Sequence, residues 1–319
     1  MSGLIGHDEA WHEWRSALGS ARMHHAWILT GLKGLGKAQF ARAAAAELVA
    51  EPGIVQPRIE AHPDILIPEH PPENKDEVKK REEGQPYRRK RSIPIDEVRT
   101  LQRRLTTRPT LGRRRAIIID PADDLERNAA NALLKSLEEP PQGTFFLLVT
   151  HRLGRLLPTL RSRCRVLRFA PLATGQIDEI LREQAPEADT ATRAAAVAAA
   201  EGSPGAALDF VAQDLGKLHL LMQRLITEGD EHFALRGALA EEIGARPDRE
   251  RQQATIDLAR AVVAAELGRA AARDGVVIEA HGQLVRLGAQ LPTYNFDPGL
   301  VAMELGALLA ALAVPREMA

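Results

Sequence analysis

Short apolar runs punctuate the first 170 residues: Ala26-Trp27-Ile28-Leu29, Ile65-Leu66-Ile67, Ala116-Ile117-Ile118-Ile119, and those at 145–149 and 166–169. Runs this short, with turn-forming or charged neighbours, predict buried strands. Between them the apolar spacing changes to three and four residues. Phe40, Ala41, Ala44, Ala45 and Leu48 form one such stripe, Ile95, Val98, Leu101 and Leu105 a second, and Ala130, Leu133, Leu134 and Leu137 a third. Each lays an apolar face along a helix. Pro94 introduces the second helix, and Pro140-Pro141 stops the third. Residues 2–25 predict an amphipathic helix on Ala10, Trp14 and Leu18. Residues 68–92 show no periodicity and carry four prolines among mixed charges, which predicts a surface loop with no core of its own. Beyond Ala170 only helical patterns follow. They run through 177–181 and 194–200, then Leu215, Leu218, Met222 and Leu225, then Ile256, Ala259, Val263 and Leu267, with Asp297-Pro298 starting a last helix.

The segment between the first apolar run and the first stripe carries the chemistry. Residues 31–38 read Gly-Leu-Lys-Gly-Leu-Gly-Lys-Ala. A strand, a glycine loop and a helix in that order are the context of a phosphate-binding loop. Gly31, Gly34 and Gly36 let backbone N–H groups approach phosphate oxygens, the helix N-terminus adds partial positive charge, and Lys37 reaches the outer phosphates. The next position should be Ser or Thr, whose hydroxyl ligates Mg²⁺, but it is Ala38. Asp120 closes the run 116–119, where P-loop enzymes hold their metal. Pro121 follows it and cannot act as a base, and Asp123 is displaced from the strand end. With Ala38 and Pro121 in these places the loop can still bind ATP, but two parts that hydrolysis uses are missing.

Composition narrows the setting. The 319 residues suffice for two or three domains, and a net charge of −1 exerts no general pull on nucleic acid. Any basic surface is local, as at Lys79-Lys80-Arg81 and Arg88-Arg89-Lys90-Arg91. One cysteine, Cys164, rules out an internal disulfide and a four-cysteine zinc site, and reads as a small buried residue. The apolar stretch 299–314 is interrupted by Glu304 and is shorter than the ~20 residues a membrane span needs. The N-terminal residues show no basic region followed by an apolar one, so a cytoplasmic protein is expected.

The segment Asn-Ala-Leu-Leu-Lys-Ser-Leu-Glu-Glu-Pro-Pro at 131–141, followed by Ser162-Arg163-Cys164, resembles the clamp-loader branch of the AAA+ ATPases. His25-Ala26 ahead of the glycine loop and Gly202-Ser203-Pro204-Gly205-Ala206-Ala207 make it resemble, within that branch, the bacterial DNA polymerase III delta-prime family. The resemblance implies an α/β AAA+ P-loop domain with a parallel sheet over 1–170, a helical lid over 171–212 and an all-α collar over 213–319. It implies a place in a five-subunit ring beside a gamma/tau-like ATPase subunit and the clamp-opening delta subunit. Through that complex it implies a role with the sliding clamp and primed DNA, and none at a membrane. Carried onto this sequence, the Ser-Arg-Cys arginine is Arg163, a finger offered in trans to the neighbour's ATP. A guanidinium suits that task as a planar fork of donors with permanent charge. Two departures accompany the resemblance. Residues 50–92 lack the family's zinc cysteines, so no zinc is expected, and Gly31, Gly36 and Lys37 keep the phosphate-binding core better than many delta-prime relatives do; Gly205, where a motor subunit carries a lid arginine, is a third loss beside Ala38 and Pro121. The alternative reading is an autonomous ATPase motor turning over slowly on Lys37 and Asp120.

Overall fold

The apolar runs become one sheet of five parallel strands. In chain order these are β1 (Ala26–Thr30), β2 (Ile65–Leu66), β3 (Arg115–Ile119), β4 (Thr144–Thr150) and β5 (Arg165–Arg168). Across the sheet they lie in the order β2-β3-β4-β1-β5. The register pairs Ile28 of β1 with Leu148 of β4 on one side and with Val166 of β5 on the other. Parallel strands covered on both faces need apolar residues at every position, which is why the runs are continuous rather than alternating. All of β1 and β3 is buried, whereas edge strand β5 exposes Arg165 and Arg168.

In this computed structural model residues 5–20, 22–269, 273–291, 294 and 296–313 are described. The chain divides into two units, Met1–Pro171 and Leu172–Ala319. In the first unit the helices are α1 (Asp8–Leu18), α2 (Lys37–Val49), α3 (Lys75–Glu82), α4 (Ile95–Leu105), α5 (Arg127–Glu138) and the short α6 (Pro158–Arg161). Val98, Leu101 and Leu105 of α4 and Ala130, Leu133 and Leu137 of α5 share a buried cluster with Ile28, Ile117, Ile119, Phe146 and Leu148. Trp27, on the other face of β1, meets Trp14 of α1 edge-on at 5.5 Å, and Phe40 of α2 packs against both tryptophans of α1.

Two expectations change in this unit. The helix anticipated over 2–25 spans only Asp8–Leu18 among the described residues, because Gly19 caps it; residues 2–4 and 21 lie outside those described. The stretch 68–92 is also not a plain loop. Its legs pair through Glu73 N–H to Arg88 O at 2.9 Å and Lys90 N–H to Pro71 O at 2.7 Å, and α3 lies between them. Asn74 caps α3 by accepting from the N–H groups of Asp76 and Glu77, both at 3.0 Å. The inward residue of α3 is a carboxylate: Glu77 accepts from Lys80 Nζ at 2.7 Å and Arg88 N–H at 2.6 Å. With Val78 as its one aliphatic residue, α3 has no apolar stripe to betray it in the sequence.

Within the second unit the described elements are all helices. They are α7 (Thr174–Gln184), α8 (Thr190–Ala199), α9 (Pro204–Ala212), α10 (Gly216–Glu228), α11 (Ala234–Ile243), α12 (Arg249–Ala264), α13 (Asp274–Gln290) and α14 (Pro298–Ala310). Asp189, Ser203, Asp248 and Asp297 cap four of them through side-chain oxygens. Leu218, Met222, Leu225, Ile256, Ala259 and Val263 are buried as their spacing predicts. Leu267 lies past the end of α12 and is half exposed. No described helix is long and apolar enough to cross a membrane.

Candidate functional site

Because every strand is parallel, their carboxyl ends share one edge of the sheet, where α/β folds place their ligands. The loop after β1, Asp120 after β3 and His151 after β4 all emerge there. A Cβ at Gly31 would lie 2.6 Å from Phe169 O, so the loop can pass β5 only as glycine. Gly34 and Gly36 have φ of 81° and 77°, and Gly36 is the N-cap of α2. Lys37 opens that helix with 2% exposure, and its amine donates to Gly31 O at 2.8 Å and Leu32 O at 2.5 Å. Burial pushes the Lys37 pKa down to about 8, although the carboxylates of Asp120 and Asp123 pull it the other way. Burial likewise raises Asp120 above the usual carboxylate range, against Arg42 and Lys37. Ahead of α1, His7 Nε2 lies 2.8 Å from Leu35 O with its ring edge-on to Phe169, so the N-terminal segment braces the loop.

These residues suit a phosphate chain: a buried cation stands at a helix N-terminus beneath a glycine-shaped loop. For a divalent metal, Ala38 offers only a methyl group where a hydroxyl would coordinate it, which leaves Asp120 as the candidate ligand at this edge.

Asp123, which sequence reasoning set aside as displaced from the strand end, has a definite task. Its two oxygens accept from the backbone N–H groups of His151 at 2.8 Å and Arg152 at 3.2 Å, tying the end of β4 to the turn after β3. Two of the carboxylate's acceptor positions are thus taken by backbone N–H groups, which anchors it to the turn after β4. His151 was not singled out from the sequence at all. Its Nδ1 is buried without a partner, and burial followed by the charge of Lys37 pushes its pKa down to about 4, so the ring is neutral near pH 7. A lone histidine after an apolar strand carries no distinguishing pattern, and only the fold brings it to Lys37.

Arg163 stands apart from this cluster, just after α6. Its Nη2 pairs with Glu138 Oε1 at 2.5 Å, and its Nη1 donates to Thr159 O at 2.9 Å, with about a third of the side chain exposed. The neighbouring Arg165 has a plain structural role, pairing with Glu13 at 2.8 Å and covering the Trp27 ring. Cys164 packs against the main cluster, and burial pushes its thiol up to about 12, which keeps it protonated and unreactive.

A family model described as DNA polymerase III, delta subunit, matches residues 6–173, more than half of the chain. The curated DNA polymerase III subunit delta' of Pseudomonas aeruginosa is 34% identical over 169 residues, covering 48% of this chain and 47% of that protein. That of Escherichia coli is 41% identical over 123 residues, covering 39% and 36%. The chain belongs to the DNA polymerase III delta-prime family. The matched stretch spans about half or less of these delta-prime relatives' own length. The Escherichia coli subunit tau is also similar, 29% identical over 222 residues, covering 67% of this chain and 32% of that protein. A solved Thermotoga maritima protein related to the DNA polymerase III gamma subunit covers 95% of this chain and 99% of its own, with a TM-score of 0.54 at 20% identity, a likeness of fold. The delta-prime family match ends at residue 173, so it covers the sheet, the glycine loop and Arg163 but stops before most of the helical second unit.

Proposed function

We propose that this chain is a delta-prime-type subunit of a clamp loader, serving DNA polymerase III holoenzyme by helping to place the sliding clamp on primed DNA. It sits in a five-subunit ring beside a gamma/tau-like ATPase subunit and the clamp-opening delta subunit. Arg163 acts in trans, donating to the outer phosphate of the neighbour's ATP as negative charge builds there. Residues 1–170 serve as the nucleotide-binding-like domain, 171–212 as the lid and 213–319 as the collar. The chain's own loop holds ATP through Gly31, Gly34, Gly36 and Lys37, with Ala38 and Asp120-Pro121 leaving hydrolysis unsupported.

The observation that supports this reading is that the delta-prime family match over residues 6–173 takes in Ser162-Arg163-Cys164, with Arg163 standing just after α6 and about a third of its side chain exposed. The test is Arg163→Ala in a reconstituted loader. Assembly should be unchanged, while DNA- and clamp-stimulated ATP turnover should fall, on the order of 10³-fold at the site the arginine faces. Unchanged turnover in that complex would sink the assignment. The autonomous-motor alternative draws on the closeness of Lys37 and Asp120. Robust Mg-ATP turnover by the isolated chain, abolished by Lys37→Ala, would favour it.

A further inference from the structure

Three separated stretches of the sequence meet at the carboxyl end of α5. His25 Nε2 lies 2.8 Å from Leu137 O, Pro140-Pro141 end the helix, and Glu138, the next residue after Leu137, grips Arg163. The last turn of α5 is thus tied to the entry of β1, and Glu138 projects from a fixed base. Arg163 is held at two points on two helices: Nη2 on Glu138 of α5 and Nη1 on Thr159 O of α6, with Ser162 Oγ a further 3.4 Å contact. Side-chain exposure is 34% for Arg163 and 49% for Glu138. An ion pair that exposed contributes little to fold stability. It does remove the rotamer freedom of a long side chain.

We infer that Glu138 is a positioning residue for Arg163, a brace that holds the guanidinium oriented before a phosphate arrives. This rests on the proposed trans role of Arg163. A guanidinium has five N–H donors, and the observed contacts use at most three, leaving donors for an oxyanion. The acceptor Arg163 needs from residue 138 is an oxygen at glutamate's reach. Glutamine supplies one, and aspartate, a methylene shorter, does not.

The experiment uses the full-length chain in a reconstituted loader with primed DNA and clamp. Four variants are compared: Glu138→Ala, Glu138→Gln, Glu138→Asp and Arg163→Ala. With orientation lost, Glu138→Ala should lower kcat about three- to tenfold at unchanged KM for ATP, since the finger acts in the transition state. Glu138→Gln should keep at least about half of the turnover, and Glu138→Asp should match alanine. Melting temperature and assembly should be unchanged in all four. The inference is overturned if Glu138→Ala keeps full kcat while Arg163→Ala loses it, or if kcat rises, which would make the carboxylate a competitor of phosphate. It is also overturned if aspartate outperforms glutamine, which would make charge alone the cause. If Arg163→Ala itself leaves turnover intact, the trans role falls and this inference with it.

Discussion

Asp123→Ala is the perturbation that separates a structural carboxylate from a catalytic one. It removes both acceptors that fix the turn after β4. The His151 N–H, bonded at 2.8 Å and half-buried, loses a charged acceptor. A bond of that kind contributes about 1.5–3 kcal/mol. The Arg152 N–H, at 3.2 Å and exposed, also has Thr150 Oγ1 at 3.2 Å, so its loss adds little. The total comes to about 2–3 kcal/mol for alanine and about 1 kcal/mol for Asp123→Asn, which keeps one oxygen for His151. In a unit of this size each kcal/mol moves the melting midpoint by about 2–4 °C. The alanine variant should therefore melt about 4–12 °C lower and the asparagine variant about 2–4 °C lower. Calorimetry reads the midpoint, amide exchange at residues 151 and 152 reads the local loss, and turnover of the reconstituted loader is followed in parallel. Unchanged exchange at both amides in Asp123→Ala would refute the bonding argument. Normal melting with abolished turnover in Asp123→Asn would make Asp123 catalytic after all.

Two further expectations concern charge. Nucleotide affinity, read with a fluorescent ATP analogue, should fall as pH rises through about 8, where the buried Lys37 amine loses its proton, and Lys37→Arg should flatten that dependence. Stability should move oppositely: a lysine whose folded pKa lies below its unfolded value costs the fold while charged, so stability rises as pH climbs from about 8 towards 10.5. Glu77→Ala should speed proteolytic cleavage within residues 68–92 while a chelator leaves cleavage unchanged, because a carboxylate bonded to Lys80 and to the Arg88 N–H holds that segment. Lys80 and the Arg88 N–H keep Glu77 below the usual carboxylate range, so the wild-type segment should loosen as pH falls below that range, and amide exchange within residues 68–92 between pH 6 and 3 would check the sign.

The sequence by itself determined the parts of this protein that rest on local chemistry. Continuous apolar runs give strands buried on both faces, stripes at three- and four-residue spacing give most of the helices, and the glycines with Lys37 give the turn from β1 into α2. The delta-prime family was legible in the 131–141 segment and in Ser162-Arg163-Cys164. What only the tertiary structure decided involves polar groups whose partners are distant in the chain. Glu77 replaces an apolar stripe with hydrogen bonds to a residue 11 positions away, so α3 passed for loop. Asp123 is bonded 28 positions away, which turned a misplaced acid into a structural tie. His151 acquired its depressed pKa only once the sheet had set it beside Lys37. Arg163 is paired with Glu138, 25 residues earlier. Hydrophobic patterning repeats along the chain and can be read there. A hydrogen bond across the fold leaves no period in the sequence, and its partner is set by which strand ends the parallel sheet gathers at one edge.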